Sequence, residues 1–284
     1  MSIPPLTMRL VELACHAPSV DNAQPWHWRV HDDRITLSID RSRVLPHEDP
    51  SGRNVTISCG AALDHLCAAA RAIGVRTAVT RLPEGPSSDV LATIELSPGT
   101  PSETAADDIA NLRARCTDRR RLTTWPVPVS ALDVLAAEAH ARGTRAVPVT
   151  DKRARFRLEA LTQREYVESV LGSGPTPESL ALVEGSDGVI ALGGPEDGLE
   201  AWLRTGEGLS ALWLRATRDG LAIVPMSLPC GVDVSRAPLA EEWGAPHLLV
   251  RVAWQAIGRS ALPRTPRLAL HEVLSEEPAV ELTA

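Results

Sequence analysis

No uninterrupted apolar run in the 284-residue chain approaches the ~18 residues of a membrane-spanning helix. The opening MSIPPLTMRLVEL lacks the charged-then-apolar layout of a secretory signal, so a cytoplasmic protein with no membrane partner is expected. Tyrosine and phenylalanine occur once each, as Tyr166 and Phe156, which leaves seven tryptophans to carry almost all the aromatic content. That scarcity removes the base-stacking platforms of RNA- and single-strand-binding modules. Positive charge is short as well: 29 basic residues face 36 acidic ones, a balance of −7 that argues against a nucleic-acid partner.

The five cysteines, Cys15, Cys59, Cys67, Cys116 and Cys230, contain no C-x-x-C pair, and their odd number opposes a closed disulfide set. Buried free thiols are the expected state. Cys15 and His16 are neighbours on a predicted helix, where adjacent side chains diverge, so they do not form a nucleophile and base. Phosphate-loop, dinucleotide-loop and serine-elbow signatures are missing. His27 and His31 stand four apart in a predicted strand and turn, a spacing that converges on a metal only in a helix, and no metal site is expected.

What the chain does contain is an internal repeat. CGAALDHLCAAARAIGVRTAVTRLP (59–83) lies on TGEGLSALWLRATRDGLAIVPMSLP (205–229) at a constant offset of 146 without a gap. Gly60, Leu63, Leu66, Ala70, Gly74, Leu82 and Pro83 meet Gly206, Leu209, Leu212, Ala216, Gly220, Leu228 and Pro229. Each copy shows the i, i+3, i+4, i+7 pattern of a buried helix, then a glycine suited to the left-handed cap, then a strand. The pair Gly206 and Gly208 predicts close helix packing.

Around these units the pattern predicts a helix over 6–16, a hairpin of strands 26–30 and 35–40, and strands over 89–96, 188–192 and 246–254. Further helices are predicted over 103–116 and over 130–142, the latter capped by Ser130. Loops are expected at 83–88, 97–102 and 172–179 from their Pro, Gly and Ser content. The fold class is therefore α+β, with two related halves, residues 1–100 and 101–284, interlocked as one globular unit.

Three segments could carry chemistry. APSVDNAQPW (17–26) is a polar loop offering the Ser19 hydroxyl and the Asn22 and Gln24 amides, a ligand loop or equally an ordinary helix-to-strand connection. RCTDRRRL (115–122) sets Arg115, Arg119, Arg120 and Arg121 around Thr117. Guanidinium forks with a hydroxyl suit a phosphate, although arginines at a helix end also answer the helix dipole. PRTPR (263–267) carries Arg264 and Arg267 on a proline-stiffened loop that by itself reads as surface.

Taken together, APSVDNAQPWHW, RCTDRRRL followed by PVP (126–128), GLAIVPMSLP and PRTPR resemble the flavin-binding motifs of the nitroreductase family, over about residues 10–274. The order and the duplicated helix are most similar to its Acg branch, whose single chain forms an internal pseudo-dimer of two nitroreductase-like halves around FMN. In ordinary nitroreductases one subunit supplies the R-x-S-x-R segment and its mate supplies the APSxxNxQPW loop. Here both would come from one molecule.

The resemblance implies that Arg115, Thr117, Arg119, Arg264 and Arg267 hold the FMN phosphate. It implies that Pro18, Ser19, Asn22 and Gln24 line the ribityl chain and ring, and that Pro225, Met226 and Ser227 form the strand end facing flavin N5. No side chain is assigned as a general acid. One FMN per chain follows, because the second half has no APSxxNxQPW and the first has no R-x-T-x-R. Arg121 and Leu122 depart from the family's pattern, and the stretch 163–180 is shorter than the lid of the Acg branch.

The expected activity is NAD(P)H-dependent reduction of the flavin, followed by reduction of a small nitroaromatic or quinone in ping-pong order. The alternatives are an FMN-sequestering protein without turnover and a flavin-dependent dehydrogenase or oxidase of a biosynthetic pathway. A monomeric pseudo-dimer is expected, with a further homodimer open.

Overall fold

The computed structural model describes residues 3–31, 33–44, 49–118, 123, 125–160, 163, 187–226, 246–255 and 264–276. The expected loop at 172–179, the shortened lid over 163–180 apart from residue 163, and Arg119, Arg120, Arg121, Leu122, Ser227 and Cys230 lie outside them.

Helix α1 (Pro5–Ala14) leads into the hairpin β1 (Trp26–His31) and β2 (Arg34–Ile39). Then come α2 (Arg53–Ala72), β3 (Val75–Arg81) and β4 (Val90–Pro98). After α3 (Ala105–Ala114), the same helix-strand-strand-helix-strand-strand order recurs. It runs through α4 (Val129–His140), β5 (Arg145–Pro148), β6 (Gly188–Gly193), α6 (Leu199–Arg218), β7 (Leu221–Met226) and β8 (Pro246–Trp254). A helix α5, which includes residues 152–160, lies between β5 and β6.

The sheets follow the same plan. One is ordered β3-β4-β2-β1-β9 and the other β7-β8-β6-β5, with antiparallel neighbours except at β9. Strand β9 (Leu274–Glu276) returns from the C-terminal end to pair in parallel with β1, tying the last described residues to the first sheet.

Helices α2 and α6 form the most extensive contact between helices. Both limits of α6 lie 146 residues after those of α2, and β7 begins 146 after β3, as the repeat predicts. The helices touch at glycine. A Cβ on Gly60 would collide with the Leu203 carbonyl and approach Gly206 Cα, and one on Gly206 would collide with the Ile57 carbonyl and approach Gly60 Cα. Gly208 similarly clears the Thr144 side chain.

Each helix also crosses into the other's core: Leu203 of α6 packs with Trp26, Trp28 and Leu63, while Ile57 of α2 packs with Leu212, Trp213 and Ile223. The two cores are therefore stitched by Leu203 and Leu199 of α6 in one direction and by Ile57 of α2 in the other. Both helices stop where Gly74 and Gly220 take φ of +82° and +73°, a conformation glycine adopts without a Cβ penalty.

A polar chain crosses the same interface. Ser210 Oγ donates to Asp64 Oδ2 at 2.6 Å, so the 2.8 Å contact between His65 Nδ1 and Ser210 Oγ needs the proton on Nδ1. Nε2 is then an unprotonated, buried nitrogen without a hydrogen-bond partner among the described residues. Burial, with Arg115 as the nearest repelling charge, holds the ring's pKa well below its ordinary 6.5.

A depressed folded-state pKa contributes stability above the unfolded value that is lost as pH falls. Below about 6.5 only the unfolded chain takes the proton, so His65 should cost ~1.4 kcal/mol per pH unit. Urea midpoints measured between pH 7.5 and pH 5 should fall accordingly, and His65→Asn should flatten the slope by about one proton. An unchanged slope in that variant would exclude His65 as the group responsible.

Two boundaries differ from expectation. Helix α4 begins at Val129 with Pro128 at the cap and no side-chain cap bond, so Ser130 is inside the first turn; the fixed φ of proline presets the helix entry instead. Helix α3 ends at Ala114, and Arg115 turns to φ −52°, ψ 125°. That turn takes Arg115 off the solvent-facing helix end and buries it.

Candidate functional site

The loop after α1 is built against local preference. Asp21, Asn22 and Gln24 take φ of +45°, +57° and +50°, which costs roughly 1–2 kcal/mol for each ordinary L-residue and less for Asn and Asp. Hydrogen bonds within the loop and from outside it offset it. Val20 N donates to Ser58 Oγ of α2 at 3.2 Å, and Gln24 N donates to Ser19 Oγ at 3.0 Å.

The C-terminal segment supplies the rest. Asn22 Nδ2 donates to the Pro266 carbonyl at 3.0 Å, Leu268 N donates to Gln24 Oε1 at 3.0 Å, and Gln24 Nε2 donates to the Asn22 carbonyl at 3.3 Å.

Three arginines expected from the sequence come together here. Arg267 donates from Nε to the Cys15 carbonyl, from Nη2 to those of His16 and Ala17, and from Nη1 to Asn22 Oδ1 and the Thr265 carbonyl. All of these lie between 2.8 and 3.3 Å. Arg267 thereby caps the C-terminal carbonyls of α1, a favourable place for a cation.

Arg115 donates from Nε and Nη2 to the His16 carbonyl and stacks over the Trp213 ring, 4.6 Å from its centroid. Such stacking contributes about 0.5–2 kcal/mol. Its Nη1 is buried with no partner among the described residues. Arg264 is exposed and close enough for its charge to be felt at both neighbours.

The arginines repel one another. Burial and then Arg267 pull Arg115 down to about 9, with Arg264 adding to the effect and only the Cys116 thiol opposing it. Arg267 is lowered by burial and Arg264, again opposed only by a thiol, Cys15. Both remain charged at neutral pH, so this is a site of concentrated positive potential in a chain of net −7. Three of the thiols are unreactive: burial lifts Cys15 and Cys67 to about 12 and Cys59 higher still.

Beside the cluster lies a small, half-open cleft of about 60 Å³. Pro18, Ser19 and Val20 of the loop, Thr117 and Pro225 form part of its wall, so segments distant in sequence meet there. Helix α2 adds Asn54, Ile57 and Ser58, helix α6 adds Leu209 and Trp213, and β8 adds Leu248. The Met226 side chain instead packs with Val149, Leu158 and Leu249 in a separate small core.

The residues from α2, α6 and β8 are the ones that sequence reading missed. Trp213 and Leu209 sat in the periodic apolar pattern of the repeat, where nothing separates a core face from a cleft wall. Asn54 and Ser58 did leave a trace, as polar residues at the start of a helix otherwise buried on almost every face.

Elsewhere around the α2–α6 interface charge is paired. Arg81 of β3 makes a bidentate pair with Glu207 of α6 at 2.7 and 2.6 Å, and Arg142 pairs with Asp64 at 2.6 Å. Thr144 donates to the Arg204 carbonyl nearby.

No family model matches the chain. It is 34% identical over 312 residues to "Putative NAD(P)H nitroreductase Rv3131" of Mycobacterium tuberculosis, covering 94% of this chain and 91% of that protein. It is 29% identical over 313 residues to "Putative NAD(P)H nitroreductase acg" of the same organism, covering 93% of each. A crystal structure named as a putative nitroreductase from Anabaena variabilis superposes with a TM-score of 0.52 at 10% identity, over 88% of this chain and 73% of that one. With identity of 34% sustained across nearly the full length of both chains and a shared α+β architecture, the chain belongs to the nitroreductase family.

Proposed function

We propose that this protein is an FMN-dependent oxidoreductase in which NAD(P)H reduces the flavin and leaves before a small nitroaromatic or quinone enters. The observation that carries the reading is the buried Nη1 of Arg115, unpartnered among the described residues and set beside the charges of Arg264 and Arg267. A dianionic phosphate supplies an acceptor and balances these charges. The adjoining cleft, apolar along Ile57, Leu209, Trp213 and Leu248, suits a flat ring.

In this reading Arg115, Arg264 and Thr117 bind the phosphate end, joined by Arg119 as the resemblance implies. Pro18, Ser19 and Pro225 line the ribityl chain and ring, with Met226 and Ser227 contributing backbone at the strand end. Arg267 adds charge while its donors hold the loop. Bound FMN would supply the hydride chemistry; the chain orients it, excludes water along the apolar wall and supplies the electrostatics.

We further propose that residues 1–100 and 101–284 act as two halves sharing this one site. The single APSxxNxQPW loop (17–26) and the single R-x-T-x-R segment (115–119) support a single flavin per chain. Purified protein should be yellow, and denaturation should release one FMN per chain; a ratio near two would overturn the single-site reading. Anaerobic mixing with NADH or NADPH should bleach the flavin. Retention of colour with both would leave a flavin-holding protein and remove the reductase.

A further inference from the structure

The resemblance assigns Asn22 and Gln24 to the flavin, yet the structure engages their side chains elsewhere. Both oxygens and both nitrogens of the two amides are hydrogen-bonded within the protein. Asn22 uses Nδ2 on the Pro266 carbonyl and Oδ1 on Arg267 Nη1; Gln24 uses Oε1 on Leu268 N and Nε2 on the Asn22 carbonyl. Three of these four bonds join the loop to residues 244 or 245 positions away in sequence.

Gln24 is 3% exposed, which fixes it as an internal fastener and not a ligand-facing group. Neither residue is among those lining the cleft, whereas Pro18, Ser19 and Val20 of the same loop are.

The segment fastened in this way carries Arg264 and Arg267. Arg267 is held against the α1 carbonyls, and its charge and that of Arg264 bear on Arg115. Further along, Leu268, Leu270, Val273 and Leu274 pack in the first core, Arg43 Nη2 reaches the Glu272 carbonyl at 3.2 Å, His27 Nε2 meets Ser275 Oγ at 2.9 Å, and β9 pairs over three residues. Those contacts lie C-terminal to the arginines, whereas the two amides bond to Pro266, Arg267 and Leu268 beside them.

We propose that Asn22 and Gln24 are positioning residues that act through residues 264–268 to hold the phosphate-binding arginines, and that they do not contact the flavin ring. The inference rests on the proposed FMN site. The unusual positive φ at Asn22 and Gln24 fits such a role: it turns both amides away from the cleft toward the C-terminal segment, and the four bonds offset the conformational strain.

Riboflavin, which lacks the phosphate, separates the two roles. Asn22→Gly and Gln24→Gly keep the backbone conformation, because glycine accepts positive φ, and remove only the amide. Each should weaken FMN binding at least about tenfold and leave riboflavin binding within about twofold, shrinking the preference for FMN. Asn22→Asp, which retains the acceptor for Arg267, should keep most of that preference.

An equal loss of FMN and riboflavin affinity would place the amides on the ring and overturn the inference, as would wild-type preference in both glycine variants. Wild-type protein that binds FMN no better than riboflavin would instead overturn the phosphate site itself. Should the variants fail to fold, hydrogen exchange on the wild type decides. The Leu268 amide, bonded to Gln24 Oε1, should exchange more slowly with FMN than with riboflavin, and equal rates would overturn the coupling.

Discussion

Replacing Arg115 by methionine should weaken FMN binding by about 10- to 150-fold while changing riboflavin affinity only slightly. A hydrogen bond to a charged group contributes about 1.5–3 kcal/mol, and each 1.4 kcal/mol is a factor of ten in affinity. The phosphate-specific part of that loss comes from Nη1, which has no partner among the described residues.

Methionine keeps a polarizable stem against the Trp213 ring that the guanidinium now covers, so the wall of the cleft is retained. The two bonds to the His16 carbonyl are lost, but Arg267 still donates to that oxygen at 3.2 Å. Arg115→Lys should fall between wild type and Arg115→Met, since an ammonium restores charge without the fork. The check is a pair of fluorescence titrations, with FMN and with riboflavin. Parallel losses for both ligands would remove Arg115 from the phosphate site and make it a structural residue.

Gly206→Ala should destabilise the protein by about 3 kcal/mol or more, or prevent folding, because the added Cβ meets main chain and not a flexible side chain. It would lie 2.8 Å from both Ala61 N and Gly60 Cα, and closer still to the Ile57 carbonyl. Relief would need α2 and α6 to separate, opening both cores that Ile57 and Leu203 stitch together.

Gly60→Ala should cost a similar amount, since its Cβ meets the Leu203 carbonyl and Gly206 Cα in the same way. Gly198→Ala is the control: it stands at the cap of the same α6, nothing lies within 4 Å of its Cβ, and its effect should stay within about 1 kcal/mol. Thermal melts of the three variants test this, with a fall of roughly 10 °C for the two interface glycines at ~3 °C per kcal/mol for a chain of this size. A Gly206→Ala protein melting with wild type would show that the helices are not held at this distance. A variant that survives should also bind flavin poorly, because Asn54, Ile57 and Ser58 of α2 face Leu209 and Trp213 of α6 across the cleft.

Much of the architecture was legible. The 146-residue offset anticipated two helices with matching limits, the glycines that end them and the strands that follow, because helical periodicity and a left-handed cap are local properties written in neighbouring residues. The Gly206 and Gly208 pair was read as a site of close helix packing, and the structure finds backbone against Gly206 and the Thr144 side chain against Gly208. Of the named site residues described, Pro18, Ser19, Thr117 and Pro225 line one cleft, and Arg115 and Arg267 converge on the His16 carbonyl beside it.

What failed to show is equally specific. Arg115 looked like the end of a solvated helix, but the helix stops at Ala114 and the side chain goes under Trp213. Trp213, one of seven tryptophans in a periodic pattern, gave no sign of lining a cleft.

The sequence by itself determined the α+β class, the duplicated order of elements, the net charge of −7 and the function classes that its scarce aromatics and basic residues exclude. Only the tertiary structure decided which side chains of the Asn22 and Gln24 loop face a cleft and which fasten a segment about 244 residues away. The physical reason is that periodicity reports which face of an element must be covered, while the partner that covers it is chosen by packing between elements. A hydrogen bond between residues 252 positions apart, such as that from Arg267 to the Cys15 carbonyl, leaves no local pattern to read.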